Sequence, residues 1–255
     1  MQILVVNPNT SAAMTQDIAK AAAAAAAPNT TILAVQPFFG PAAIDSAMES
    51  YLSAVAVMDR ILAVTEPYDA VVMAGFGEHG RDAVAELLTV PVLDIAESSA
   101  HVALMLGRNY AVVTTLQRSV AAITDRLEAA GLAGRCVSIR SCGLSTAAVE
   151  KDPDAAMAAI IEQAEIAVSY DHAEVICLGC GGMAGLAEAI TNRLGVPVVD
   201  GVAAGVRLAE ALVGLGLSTS KVCTYASPPG NPVSGWPLSA ALGLPMAKLV
   251  SGDAG

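Results

Sequence analysis

The sequence predicts an α/β fold made of two pseudo-symmetric units with parallel sheets, and three observations predict it. Short apolar runs alternate with longer Ala/Leu/Glu-rich stretches along the chain. The runs are apolar throughout rather than alternating with polar residues, as strands covered on both faces are. The order strand, glycine turn, helix, Val-Pro-Val, Asp also occurs twice, the mark of an internal repeat.

The elements follow in order. Gln2-Ile3-Leu4-Val5-Val6 runs into Asn7-Pro8-Asn9-Thr10 without a basic leader or a cleavage site, so it reads as a first core strand rather than a signal peptide. Further strands are expected over 30–36, 69–74, 91–93, 110–115, 136–140, 173–178, 196–199 and 221–225. Stretches long enough for helices lie at 11–27, 47–65, 81–89, 117–130, 153–170, 184–194 and 202–214. The alanine run Ala21 to Ala27, ended by Pro28, is read as the buried side of the first helix. No stretch reaches the roughly 18 apolar residues of a membrane span.

The repeat can be laid out residue by residue. DAVVMAGFG at 69–77 matches EVICLGCGG at 174–182, an offset of 105. Val90-Pro91-Val92-Leu93-Asp94 matches Val196-Pro197-Val198-Val199-Asp200 at 106, and Leu4-Val5-Val6-Asn7 matches Ala111-Val112-Val113-Thr114 at 107. One unit is therefore expected over 1–100 together with 206–255, which returns to it through Pro228-Pro229-Gly230-Asn231-Pro232, and the other over 101–205. Open α/β sheets bind ligands beyond the carboxyl ends of their strands. Two facing units would turn the loops Asn7–Thr10, Gly75–Gly80, Thr114–Arg118 and Gly179–Gly182 into one cleft, with position 75 opposite position 180.

Composition narrows the function. Of 255 residues, 55% are hydrophobic and 15% charged, which calls for a sizeable core and excludes disorder. Thirteen Lys and Arg stand against 24 Asp and Glu, a net charge of −11. That surface repels phosphate backbones and anionic lipid, so neither nucleic acid nor membrane is expected as a partner. Three Phe, five Tyr and one Trp leave few platforms for stacking. The expected partner is a small-molecule substrate. Five cysteines without an export signal are read as free thiols in a reducing cytoplasm.

Cys180 carries the strongest chemical signal. It stands between Gly179 and Gly181-Gly182 directly after a core strand, where helix N-terminal N–H groups would favour the thiolate and lower its pKa. Cys177, within the strand, is a core filler. Gly75-Phe76-Gly77-Glu78-His79-Gly80 fits GxGxxG, but it follows the third strand and lacks a matching acidic strand end, so it is no dinucleotide site. It reads instead as the mirror of the Cys180 loop. His79 would stand in a first helical turn, either as a capping or surface histidine or as an imidazole kept neutral by the helix's positive end, fit to act as a base or to donate one N–H. His101 and His172 read as structural or exposed. Asn7, Pro8, Asn9 and Thr10 with Ser11 form a donor-rich turn that caps the next helix or holds a polar ring, repeated at Thr114 and Thr115. Phe76 and Ile44 offer an apolar wall, and Asp94 and Asp200 close the repeated strands, as structural caps or as groups that orient the loops or assist Cys180. No His/Cys/Asp spacing fits zinc and no GxSxG is present.

Together these segments resemble the Asp/Glu/hydantoin racemase superfamily, its hydantoin and allantoin racemase branch in particular. NPNTS at 7–11, Gly40-Pro41-Ala42-Ala43-Ile44, VVTTLQR at 112–118, LGCGGM at 178–183 and the GVPVVD run with its GV and AA at 195–204 carry the resemblance, over nearly the whole chain. It implies two α/β units with the active site between them, no cofactor and no metal, a homo-oligomer, and racemisation by two thiols on opposite faces of a carbon acid. Cys180 falls on the second family cysteine. The first falls on Gly75, where the family pattern CFGDPG reads GFGEHG. Glycine carries no proton, which leaves three outcomes. His79 or another group supplies the second proton; Cys180 alone protonates an enolate, as in arylmalonate decarboxylases; or the cleft binds without turnover.

Overall fold

The computed structural model describes residues 1–231; Pro232 and the remainder of the expected 206–255 segment lie outside the described residues. In chain order the elements are β1 (Gln2–Val6), α1 (Ala12–Ala25), β2 (Thr31–Val35), α2 (Ala47–Leu62), β3 (Ala70–Met73), α3 (Arg81–Leu87), β4 (Val92–Asp94) and α4 (Ile95–Leu106). The second half runs β5 (Tyr110–Thr114), α5 (Ser119–Ala129), β6 (Cys136–Ser141), α6 (Thr146–Lys151), α7 (Pro153–Ser169), β7 (Ile176–Leu178), α8 (Ala187–Leu194), β8 (Val198–Asp200) and α9 (Gly201–Gly214).

These form two four-stranded parallel sheets of identical topology, β2-β1-β3-β4 and β6-β5-β7-β8. Each repeat match falls on an equivalent strand: β1 on β5, β3 on β7, β4 on β8. The registers also correspond, with Val6 beside Met73 in one sheet and Val113 beside Leu178 in the other. Apart from Gln2 and Thr114 at their ends, strands β1, β3, β5 and β7 are apolar because helices cover both faces.

The helices after β4 and β8 change sides. Helix α4 packs on β5, β7 and β8 of the second sheet, while α9 packs on β3 and β4 of the first, and the two helices pack on each other. One apolar core consequently runs from Ile3, Val5 and Val72 through Ile95 and Val206 to Val112 and Cys177. The described residues after α9 return to the first sheet. Thr219 donates its N–H to Thr89 O and its hydroxyl to Val90 O, and Lys221 Nζ caps the carbonyls of Ala85, Glu86 and Leu88.

Three expectations need correction. Residues 221–225 form no strand: Lys221 is held as a cap for α3, and Cys223–Tyr225 makes a single 3-10 turn. The alanine run is not a buried helix face; α1 buries Met14, Thr15, Ile18 and Ala22, and of the run only Ala22 is fully covered. Helix α4 was not expected, although Asp94 ends β4 and caps α4 as Asp200 ends β8 and caps the expected α9.

Candidate functional site

The loops that leave β1, β3, β5 and β7 meet in one cavity of about 360 Å³ between the sheets. Of the residues expected there, Asn7, Pro8, Asn9, Ile44, Gly75, Phe76, Gly77, His79, Thr114, Thr115, Gly179, Cys180 and Gly181 line it. Thr10 and Gly182 do not. Thr10 turns away, donating N–H and hydroxyl to Pro41 O. Gly182 opens onto a separate groove beside Asp17, Lys20 and Pro153. The β3 and β7 loops touch: a Cβ on Gly181 would meet Ala74 O at 2.3 Å, so only glycine lets the two backbones come this close.

Asn7 and Asn9 serve the loop itself. The Asn7 side-chain NH₂ donates to Asn9 Oδ1, Ser11 O and Thr15 Oγ1, and Asn9 Oδ1 also accepts from Ser11 N. Ser11, rather than Thr10, caps α1, accepting from Met14 N. Thr114 Oγ1 donates to Gly179 O at 3.1 Å and ties the two loops of the second sheet together. The amides of Phe76, Gly77, Cys180 and Gly181 meet no protein acceptor among the described residues, so each facing loop keeps N–H donors free.

Cys180 is partly buried in extended backbone (φ −159°) and caps a one-turn 3-10 helix, not an α-helix. Gly182 N–H reaches its Sγ at 3.4 Å. The expected lowering of its pKa is overturned. Burial pushes the thiol up to about 11, Cys142 and Asp45 add to the rise, and the one N–H bond offsets only part of it. A single short turn supplies too little dipole to hold a desolvated thiolate. Cys177 is fully buried, as expected of a core filler.

His79 lies just before α3, whose cap is Gly80, rather than within the first helical turn. Its imidazole is neutral, as expected, but the cause is burial, which lowers the pKa to about 4 against an opposing pull from Asp94. The ring fills the space in front of Gly75. A Cβ built on Gly75 would stand 2.1 Å from His79 Cδ2, 2.8 Å from Nε2 and 2.8 Å from Pro8 Cγ. Whatever side chain projected from position 75 would have to occupy the volume that the imidazole occupies. Ser50 Oγ, from the first turn of α2, stands 3.1 Å from His79 Nδ1 and donates to Glu78 O at 2.5 Å.

A buried charge cluster backs this loop. Arg126 of α5 reaches Asp94 through Nε at 3.1 Å and Nη2 at 2.5 Å, also pairs with Glu97, and lies 3.9 Å from Glu78. Burial alone would lower the Arg126 pKa, but Asp94, Glu97 and Glu78 outweigh it and raise it. Asp94 caps α4 through Glu97 N, and Asp200 caps α9 through the N–H groups of Val202 and Ala203. Reading the sequence alone missed Ser50, Tyr51, Asp45 and Thr146 on the cavity wall, while Arg118 lines it at the end of the expected Thr114–Arg118 loop. The Ser46/Glu49 pair, which caps α2 reciprocally, was the available signal that a helix end points at the site. His101 and His172 are exposed. Among the described residues no group of three or more His, Cys, Asp and Glu is placed to hold a metal ion, and no helix is long and apolar enough to cross a membrane.

The family model for Asp/Glu/hydantoin racemases matches residues 3–209. Hydantoin racemase from Pseudomonas sp. (strain NS671) is 43% identical over 89% of this chain and 92% of its own length. Hydantoin racemase from Paenarthrobacter aurescens is 38% identical over 89% and 98%. Among solved structures, allantoin racemase from Pseudomonas fluorescens superposes with a TM-score of 0.90 at 57% identity, covering 91% of this chain and 99% of that one. Arylmalonate decarboxylase shares the fold alone, at a TM-score of 0.58 and 18% identity. Matched along most of its length by the family model and by relatives covered nearly end to end, the chain belongs to the Asp/Glu/hydantoin racemase family and is an isomerase of the racemase class.

Proposed function

We propose that the protein is a cofactor-independent racemase of hydantoin-type rings, allantoin among them, in which Cys180 and His79 exchange protons with opposite faces of one carbon. Gly75 stands where the family's first cysteine falls, and the observation that carries the reading is the overlap of a side chain at position 75 with the His79 ring. An acid–base group is thereby returned to the space from which a thiol would work. The relatives named for hydantoin and allantoin racemases support the substrate class.

The chemistry balances with both groups neutral. His79 Nε2 takes the proton from the ring carbon and becomes imidazolium; the electron pair passes to the adjacent carbonyl as an enolate. The thiol of Cys180 gives its proton to the other face, inverting the centre and leaving a thiolate. The opposite enantiomer runs the steps backward, or water entering the cleft returns the proton. The free N–H groups of Phe76, Gly77, Cys180 and Gly181 are the donors available to the enolate oxygen. Each acid–base group contributes about 10²–10⁴ in rate.

One enantiomer of allantoin or a 5-alkyl hydantoin incubated in D₂O should lose its optical rotation as deuterium enters at that carbon. His79→Ala and Cys180→Ala should each stop inversion while keeping exchange of one enantiomer, a different one in each variant. Inversion at the full rate in either variant would overturn the reading. That Cys180 is, among the described residues, the one cysteine lining the cavity favours a second reading, a one-thiol decarboxylase, which CO₂ release from an arylmalonate would establish. A homo-oligomer belongs to the main reading, supported by the exposed apolar side chains of Phe38, Met48, Tyr51 and Leu52; sedimentation velocity tests it.

A further inference from the structure

We infer that Ser50 is a positioning residue that fixes His79 in the tautomer with its proton on Nδ1, leaving the Nε2 lone pair free toward the cleft. The inference rests on the reading of His79 as a base, and it follows from counting one proton. A serine hydroxyl has a single hydrogen to donate. Ser50 Oγ lies 2.5 Å from the carbonyl oxygen of Glu78, and two oxygens at that distance need a proton between them. That proton is the hydroxyl's, because a carbonyl has none. Toward His79 Nδ1, 3.1 Å away, Ser50 can then offer only a lone pair. Nδ1 must be the donor, and in a neutral imidazole Nε2 is left unprotonated.

Three further features hold this arrangement. Ser50 lies in the first turn of α2, which Ser46 and Glu49 fix by reciprocal capping. The Glu78 carbonyl is held by its own residue's side chain, whose Oε1 accepts from Gly80 N at 2.7 Å. At the other edge of the ring, Nε2 faces Gly75 and Gly77, and no protein group bonds to it among the described residues. Protonation at Nε2 leaves the Nδ1–H bond in place, so the ring can gain and lose its proton without turning over or recruiting a new partner. The opposite tautomer would need the Ser50 proton to leave Glu78 O, stranding that carbonyl.

The test is ¹⁵N NMR of histidine-labelled protein at pH 7, with the His79 signals assigned by their loss in His79→Gln. The expected spectrum has a pyrrole-type Nδ1 and a pyridine-type Nε2. In Ser50→Ala the pattern should move toward a mixture of tautomers, and kcat for racemisation should fall about 10-fold or more with little change in KM. Ser50→Thr, which keeps the hydroxyl, should restore both. A pyridine-type Nδ1 in the wild type, or an unchanged spectrum in Ser50→Ala, would overturn the assignment to Ser50. The racemase reading would survive that result, because it stands on the His79→Ala exchange pattern. Conversely, a correct spectrum with no racemisation would sink the function and keep the tautomer.

Discussion

Filling position 75 tests the geometry of the site without any substrate. Gly75 has no left-handed φ, so its backbone accepts alanine, and the cost of Gly75→Ala is the collision alone. The new Cβ would lie 2.1 Å from His79 Cδ2, and reaching ordinary contact requires the ring to retreat by about 1.5 Å. Overpacking of this kind costs about 1–3 kcal/mol, and losing the Ser50–Nδ1 hydrogen bond adds about 1 kcal/mol. A total of about 2–4 kcal/mol corresponds to a fall of roughly 1–2 M in the urea midpoint, at a slope of about 2 kcal/mol per M. His79→Ala removes the obstacle. The double variant Gly75→Ala/His79→Ala should therefore be more stable than the sum of the two single effects, by about 2 kcal/mol, with Pro8 Cγ at 2.8 Å accounting for the residual strain. Urea unfolding of all four proteins gives the cycle. Strict additivity, or a Gly75→Ala protein as stable as its parent, would show that the imidazole does not occupy that space and would remove the basis for His79 as the replacement acid–base group.

The pH dependence follows from the two neutral groups. For the enantiomer deprotonated by His79, kcat/KM should be flat between limbs near pH 4, where the imidazole protonates, and near pH 11, where the Cys180 thiol is lost; a thiolate mechanism would instead rise toward alkaline pH. Stability should share these limits. The His79 pKa drops from 6.5 to about 4 on folding, so about 3 kcal/mol present above pH 6.5 is lost as the pH falls to 4. The Cys180 pKa rises from 9.0 to about 11, so about 3 kcal/mol present below pH 9 is lost as the pH climbs to 11. Denaturation midpoints of His79→Gln and Cys180→Ala across pH should flatten the corresponding limb. Arg126→Met leaves Asp94 buried at 1% exposure without its ion pair, which should cost about 3–5 kcal/mol by calorimetry; adding Asp94→Asn should recover part of it.

The alternation of strands and helices, the duplication and the four loops of the cleft were legible because each rests on a local pattern repeated twice, whereas the strand order came only from the structure. Cys180 was found for the same reason: a strand followed by glycines marks where backbone meets ligand. Its ionisation was misjudged because dipole and desolvation act in opposite directions, and sequence shows the turn but not the burial. The placement of His79 in front of Gly75 was invisible. The two are four residues apart, but their overlap depends on the turn between them through Gly77, at φ +154°. Ser50 and Arg126 come from helices 29 and 32 residues away from the residues they support, contacts that only tertiary packing creates. Helix α4 could have been read from the repeat, since α9 follows Asp200 as α4 follows Asp94.

The crossing of α4 and α9 means that each sheet takes part of its covering from the other half of the sequence. Cutting the chain between the halves would yield two fragments that each lack one covering helix, complete only when clasped to the other. A single-copy forerunner of this architecture would have been an obligate pair trading final helices, with two identical catalytic faces imposed by its symmetry. Two copies joined in one chain are free of that constraint: the matched positions 75 and 180 carry glycine and cysteine here, an asymmetry that no pair of identical chains can express.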